Sequence, residues 1–83
     1  MNKRDILESA LEGRHNEIFE YQINIDNYSR AIAKIDAEYQ GQEDLLAFRE
    51  HLEGLLASSK LEQTKAIIIR DVILDQLNEF EAS

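Results

Sequence analysis

The sequence contains no cysteine, no proline and no tryptophan, and it has three glycines among 83 residues. Without cysteine there is no disulfide and no thiolate metal site, which are common ways to stabilise a small domain. Without proline, and with glycine only at Gly13, Gly41 and Gly54, almost nothing interrupts a helix. We therefore expect one helical domain, residues 1–83, with a thin core that favours self-association.

Long apolar runs are also missing. The longest is Ile67-Ile68-Ile69, far short of the roughly 20 residues that a membrane-spanning helix needs. The first residues, Met1 to Glu8, do not lead into the apolar segment of a secretory signal. The sequence therefore predicts no membrane span and a cytoplasmic location.

Basic residues are scarce, because nine Lys and Arg face seventeen Asp and Glu, for a net charge of −8. All charged residues after Arg70 are acidic. Nucleic-acid binding requires a basic surface that neutralises phosphates, so direct binding is disfavoured despite the short cluster Lys3-Arg4. The acidity favours solubility and, more specifically, attraction to a partner protein with a basic surface.

The first half of the chain carries an unbroken heptad pattern, with apolar residues spaced alternately by four and three. This pattern predicts a helix over about residues 3–39, roughly 54 Å long, that packs lengthwise against other helices in a coiled-coil-like manner. Arg14 is the only charged member, and the pattern continues in phase across Gly13. The ten positions are Leu7, Leu11, Arg14, Ile18, Tyr21, Ile25, Tyr28, Ile32, Ile35 and Tyr39.

A turn is predicted at about residues 40–43, where Gly41 can adopt a left-handed conformation after the helix. A second helix over about residues 44–81 follows, and its apolar residues lie within one broad face. That face comprises Leu45, Phe48, Leu52, Leu55, Leu56, Ala66, Ile69, Ile73, Leu77 and Phe80.

The predicted fold is therefore all-α, an antiparallel helical hairpin that dimerises into a four-helix bundle. The sequence Ser59-Lys60-Leu61-Glu62 resembles a capping box. The alternative is accordingly a three-helix arrangement with a break near Ser58-Ser59.

The second helix is apolar on nearly every side beyond Ser59, because Leu61, Ile68 and Val72 lie opposite its main apolar face. A helix that is apolar all round is usually buried. We expect Leu61, Ile68 and Val72 to form the interface with a second copy of the chain. The alternative is that another segment of the same chain covers them.

Phe19 and Ile23 form a smaller apolar pair opposite the heptad stripe of the first helix, among polar and acidic neighbours. In a plain hairpin this pair lies on the outside, where an aromatic residue followed by an aliphatic one a turn later can dock in a partner's groove. The alternative is burial under a second chain or under the C-terminal helix.

No catalytic residues, cofactor or metal site are predicted. Glu12 and His15 have a spacing found in di-iron bundles, but such sites need the motif twice with further carboxylates. The second histidine, His51, has Phe48 at the corresponding position. Neither serine motifs nor phosphate-binding glycine loops are present.

The leading functional hypothesis is a small acidic protein–protein interaction module, an adaptor, inhibitor or assembly factor that presents helix faces to a partner. A first alternative is an inhibitor of a DNA- or RNA-handling enzyme that mimics nucleic acid. A second alternative is a dimeric DNA-binding regulator that uses Lys3, Arg4 and Arg14.

Overall fold

A computed structural model describes residues 2–82, which form two antiparallel helices, α1 (Lys3–Glu38) and α2 (Leu46–Ala82). They are joined by a short connection that contains one turn of 3-10 helix, Glu43–Leu45. The molecule is a rod with extents of 62 × 17 × 15 Å. The predicted helical hairpin is confirmed.

The start of α1 and the connection have clear local causes. The Asn2 side chain accepts a hydrogen bond of 2.9 Å from the backbone N–H of Asp5, so Asn2 caps the first turn of α1. Gly41 has φ of +85°, a left-handed conformation that favours glycine. The predicted turn at Gly41 is therefore present, and it reverses the chain so that α2 returns along α1.

The helix α2 runs without a break through Ser58 and Ser59, so the three-helix alternative is not observed. Ser59 is half-buried against α1 instead of capping a new helix. The hydroxyl of Thr64 donates to the backbone carbonyl of Lys60 within the same helix. The capping-box sequence at Ser59 therefore does not start a new helix, because this part of α2 packs lengthwise against α1.

The seam between α1 and α2 contains five buried side chains, Leu7 and Ile25 from α1 and Leu52, Ala66 and Ile73 from α2. Nine of the ten heptad positions of α1 are buried or half-buried, and the tenth, Tyr39, lies at the end of the helix with 41% of its surface exposed. The heptad pattern thus identified the inner side of α1.

The broad apolar face of α2 is only partly covered. Phe48, Ile69 and Phe80 are each exposed by 41% or more, although the sequence grouped them with Leu52, Ala66 and Ile73. A single neighbouring helix contacts a narrower stripe than this face spans. The edge of this broad apolar face therefore remains uncovered in the single hairpin.

Candidate interaction surfaces

The first candidate surface, the α1 patch, consists of Phe19 and Ile23. Phe19 is 67% exposed and Ile23 is 44% exposed. They lie one turn apart on α1, roughly opposite the buried Ile25 side of the helix. The structure places both side chains on the outside, as the sequence predicts for a plain hairpin.

Polar and charged side chains surround the α1 patch. Asn16, Glu20, Asp26 and Arg30 are exposed around it. The amide of Gln22 donates a hydrogen bond of 3.0 Å to a carboxylate oxygen of Asp26. The rim of the α1 patch thus carries two carboxylates and one guanidinium group.

The second candidate surface, the α2 face, consists of Leu61, Ile68 and Val72. Their exposed fractions are 57%, 57% and 49%. Spacings of seven and four residues place the three side chains in one row along α2. Ile69, 46% exposed, extends this row toward the edge of the seam.

Charged residues interrupt and continue the α2 face. Lys65 lies between Leu61 and Ile68, and its ammonium group contacts a carboxylate oxygen of Glu62 at 3.0 Å, with both side chains largely exposed. Asp75 and Glu79 follow Val72 at helical spacing and are exposed. The face thus has one cation near its middle and acids toward its C-terminal end.

The two surfaces lie at the same level of the rod but on opposite sides. Gln22 contacts Gln63 across the seam, and this pairing sets Phe19 and Ile23 beside the stretch of α2 that contains Leu61. Each surface points away from the seam, because the side chains on the other side of each helix are the buried ones. One compact partner domain therefore cannot cover both at once.

An ion pair that the sequence analysis missed joins the helices near the turn. The Arg49 guanidinium donates to both carboxylate oxygens of Asp36, from Nε at 2.7 Å and from Nη2 at 2.8 Å, and Nη1 contacts Glu53. This hydrogen bonding lowers the pKa of Asp36 and, together with the nearby negative charges, raises the pKa of Arg49. The sequence contains no sufficient signal for this ion pair, because Asp36 lies four residues before the predicted turn at 40–43 and Arg49 six residues after it.

A second missed contact lies in the middle of the seam. The Gln63 amide donates to the backbone carbonyl of Ile18 at 3.2 Å and to the side-chain oxygen of Gln22 at 2.9 Å. Gln63 is half-buried. A polar side chain with fixed partners inside an apolar seam helps to set the relative register of the two helices.

The histidines do not meet. His15 and His51 are exposed on different helices, and the antiparallel pairing separates them by about 28 Å along the rod at ~1.5 Å per residue. Glu12 and His15 are both exposed on α1. Over residues 2–82, no group of three or more His, Asp or Glu side chains is arranged to hold a metal ion.

Neither α1 nor α2, over the described residues 2–82, contains a stretch long and apolar enough to cross a membrane. Comparison of the chain with models of known families, with curated proteins and with solved structures finds no match.

Proposed function

We propose that this protein is a small acidic protein–protein interaction module, an adaptor, inhibitor or assembly factor, without catalytic activity. The observation that carries the proposal is the α1 patch, an exposed aromatic and aliphatic pair in the middle of a two-helix rod. Apolar anchors surrounded by polar residues are typical of binding hot spots. The proposal places the protein in the cytoplasm, which subcellular fractionation of the intact protein tests.

The partner in this proposal is a protein that receives Phe19 and Ile23 in an apolar groove with basic edges. The net negative rim of the α1 patch and the net charge of −8 accelerate encounter with such a surface. Direct binding of nucleic acid is not part of the proposal, since phosphate binding requires the opposite charge.

The second part of the proposal is a homodimer that uses the α2 face. Leu61, Ile68 and Val72 are about half exposed in the single hairpin. Because the α2 face and the α1 patch lie on opposite sides, a dimer through α2 leaves Phe19 and Ile23 accessible to another protein. Self-association and partner binding are therefore compatible.

The test of partner binding is affinity capture of the tagged protein from its native lysate, with and without nuclease, followed by mass spectrometry. The double variant Phe19→Asp/Ile23→Asp removes the apolar anchors and adds two negative charges. The matched control, Asn16→Asp/Asn27→Asp, adds the same charge at exposed neighbouring positions and keeps both anchors. Circular dichroism checks that all the proteins are equally helical.

A nuclease-resistant partner that binds the wild type and the control but is lost in the Phe19/Ile23 double variant supports the proposal. Equal recovery of the same partner with both double variants contradicts it. A partner that handles DNA or RNA and whose binding collapses with added salt favours the nucleic-acid mimic. A gel shift with DNA at low salt tests the DNA-binding regulator.

A further inference from the structure

The hairpin exposes more surface than a protein of its size usually does. Its accessible area is 6165 Å², whereas a compact monomer of 9.6 kDa has about 5,100 Å². The excess of about 1,000 Å² is close to the roughly 800 Å² per partner that a stable protein interface buries. The surface that remains uncovered is thus large enough for one interface with a second protein chain.

Within this excess of accessible surface, the α2 face is the part best shaped to pack against a helix of a second chain. Leu61, Ile68 and Val72 form a row in which each side chain is 49–57% exposed. The row extends over about 16 Å of helix at ~1.5 Å per residue. A narrow, straight apolar row of this kind is covered by another helix that lies along it.

We propose that the Ile68 and Val72 part of the α2 face pairs with the same part of a second copy in an antiparallel orientation, around a two-fold axis that crosses this face at the level of residue 70. This inference rests on the homodimer part of the proposed function and specifies its geometry. In this register Ile68 of each copy lies across from Val72 of the other, because the two residues are equally distant from position 70. A two-fold axis makes the same surface serve both copies.

Charge selects the orientation. The α2 face has Lys65 on the N-terminal side of Ile68 and the acids Asp75 and Glu79 on the C-terminal side of Val72. Antiparallel pairing around position 70 places Lys65 of each copy opposite Asp75 of the other, so the dimer contains this pair twice. Parallel pairing places Lys65 opposite Lys65 and Asp75 opposite Asp75, which is repulsive along the whole face.

The charges near residue 70 show a similar asymmetry. Every charged residue after Arg70 is acidic, whereas Lys60 and Lys65 lie before it. In the antiparallel pair, residues 60–69 of each copy, with two lysines and one glutamate, lie against the acidic C-terminal segment of the other. The contact between Lys65 and Glu62 is exposed and contributes little, so it does not prevent Lys65 from facing Asp75 of the second copy.

The proposed pairing determines the shape of the dimer. The α2 face is on the side of α2 that points away from α1, so the four helices lie side by side in the order α1, α2, α2, α1. Position 70 lies between the middle of the rod and the end that is opposite the turn. Pairing around this position therefore shifts the two hairpins lengthwise relative to each other. With a single hairpin 62 Å long, the dimer is about 85 Å long at ~1.5 Å per helical residue.

This arrangement differs from the closed four-helix bundle that the sequence predicts. A closed bundle of two aligned hairpins keeps the length of one hairpin. The staggered layer also leaves the α1 patch of each copy exposed, on opposite outer sides of the dimer. The dimer is then bivalent, and two copies of a partner protein can bind to it without touching the dimer interface.

The first test measures oligomeric state by analytical ultracentrifugation of the purified full chain over a wide range of concentrations. The wild type is expected to be dimeric. Ile68→Asp places an unpaired charge twice in the interface, so it raises the dissociation constant by more than about 100-fold. Phe19→Asp makes the same kind of change on α1 and is expected to leave the dimer intact.

The second test determines the relative orientation of the two α2 helices by disulfide cross-linking. Because the chain has no cysteine of its own, only the introduced cysteines can react. Leu61 and Glu79 are equally distant from position 70, so the double variant Leu61→Cys/Glu79→Cys is expected to form disulfide-linked dimers under mild oxidation. The single variant Leu61→Cys forms such dimers only if the helices are parallel. Small-angle X-ray scattering of the wild type supplies the length of the dimer.

The third test exchanges charges. Lys65→Glu and Asp75→Lys are each expected to weaken the antiparallel dimer, and the double variant is expected to restore it because each new glutamate faces a new lysine. Parallel helices give no such restoration, since like charges still face each other. Circular dichroism of each variant shows whether the hairpin itself remains helical.

The outcomes separate this inference from the proposed partner binding. A monomeric wild type, efficient cross-linking of Leu61→Cys alone, or a dimer only about 62 Å long would overturn the antiparallel α2 pairing. Loss of the dimer in Phe19→Asp but not in Ile68→Asp would move the interface to the α1 patch. If a monomeric chain captures a partner through Phe19 and Ile23, the result supports the interaction module and contradicts the dimer.

Discussion

The half of the hairpin next to the turn, residues 23–62, differs from the open half, residues 2–22 and 63–82. In the turn half, Arg49 joins the helices through Asp36, and Gly41 sets the reversal of the chain. In the open half, Ile68, Ile69 and Val72 remain about half exposed. The turn half thus has an ion pair between the helices and a glycine turn that the described residues of the open half lack. Both halves leave apolar surface uncovered, since Leu46 and Leu61 in the turn half are exposed by 63% and 57%.

This difference matters for stability because local unfolding starts where few contacts oppose it. The open half contains the first and last described residues, and its two helix segments are connected covalently only through the turn half. Across the seam they are held by buried side chains such as Ile73 and by the hydrogen bond from Gln63 to Ile18. In the proposed dimer, a second copy paired around position 70 covers part of the open half. We therefore expect dimerisation to protect the open half more than the turn half.

The largest expected effect comes from the buried side chains of the two halves. Leu52 in the turn half is 5% exposed and Ile73 in the open half is 6% exposed. Leu52→Ala and Ile73→Ala are each expected to lower the free energy of unfolding by about 2–5 kcal/mol. Urea denaturation followed by circular dichroism measures both values.

The matched control for the turn half is Leu46→Ala, since Leu46 is 63% exposed. Its effect should stay within about 0.5 kcal/mol, as is usual for a surface position. A loss for Leu46→Ala as large as that for Leu52→Ala would mean that the seam is not where the structure places it.

Glycine substitutions are expected to act in opposite directions in the two halves. Gly41 has φ of +85°, so Gly41→Ala imposes a left-handed conformation on alanine and destabilises the turn half by about 1–2 kcal/mol. Gly13 lies inside α1 in the open half, with no atom near the position of an added Cβ. Gly13→Ala is expected to stabilise the protein by about 0.5–1 kcal/mol.

Thermal denaturation of both glycine variants at a fixed protein concentration measures this contrast. A Gly13→Ala variant that melts below the wild type would indicate that the outer side of α1 is covered near residue 13. That outcome would contradict the conclusion that the outer side of α1 is exposed in the open half.

The boundary between the halves is tested at Gln63. Its amide donates to the carbonyl of Ile18 and to the side chain of Gln22, so Gln63→Ala is expected to cost about 0.5–1.5 kcal/mol. A double-mutant cycle with Gln22→Ala isolates the contact between the two side chains, with an expected coupling of at least about 0.5 kcal/mol. Strict additivity of the two changes would show that they do not interact.

Most of the fold follows from the sequence, because periodicity determines which side of α1 faces inward. The heptad positions from Leu7 to Ile35 are all at least half-buried. Phe19 and Ile23 lie on the outside of the single hairpin, and whether a second chain covers them was left open by the sequence. The pattern did not separate Ile69 from Ile73 on α2, since both belong to one wide apolar face. How much of that face is covered depends on the width of the neighbouring helix, which periodicity does not encode.

The polar contacts across the seam were not predicted, for a related reason. Asp36 and Arg49 meet only because the turn has a certain length, and Gln63 finds Gln22 only in one register of the two helices. A sequence pattern gives the inner side of each helix but not the axial offset between them. The candidate surfaces needed no such offset, so both could be predicted from helical spacing alone.

The smallest expected effect concerns the ion pair of the turn half and its dependence on pH. The hydrogen bonds from Arg49 lower the pKa of Asp36 below its ordinary value of 3.8. A carboxyl group whose pKa is lower in the folded state binds protons more readily when unfolded, so it adds stability above its unfolded pKa. That contribution is lost as the pH falls through the folded pKa of Asp36.

Asp36→Asn is accordingly expected to melt slightly below the wild type at neutral pH, with the difference vanishing in strong acid. Thermal denaturation of both proteins across this pH range provides the measurement, and repetition at high salt should shrink the difference because exposed ion pairs are screened. Equal melting temperatures at neutral pH would show that the turn half depends on Gly41 and the apolar seam alone. The ion pair between Asp36 and Arg49 would then not contribute to the difference in stability between the two halves.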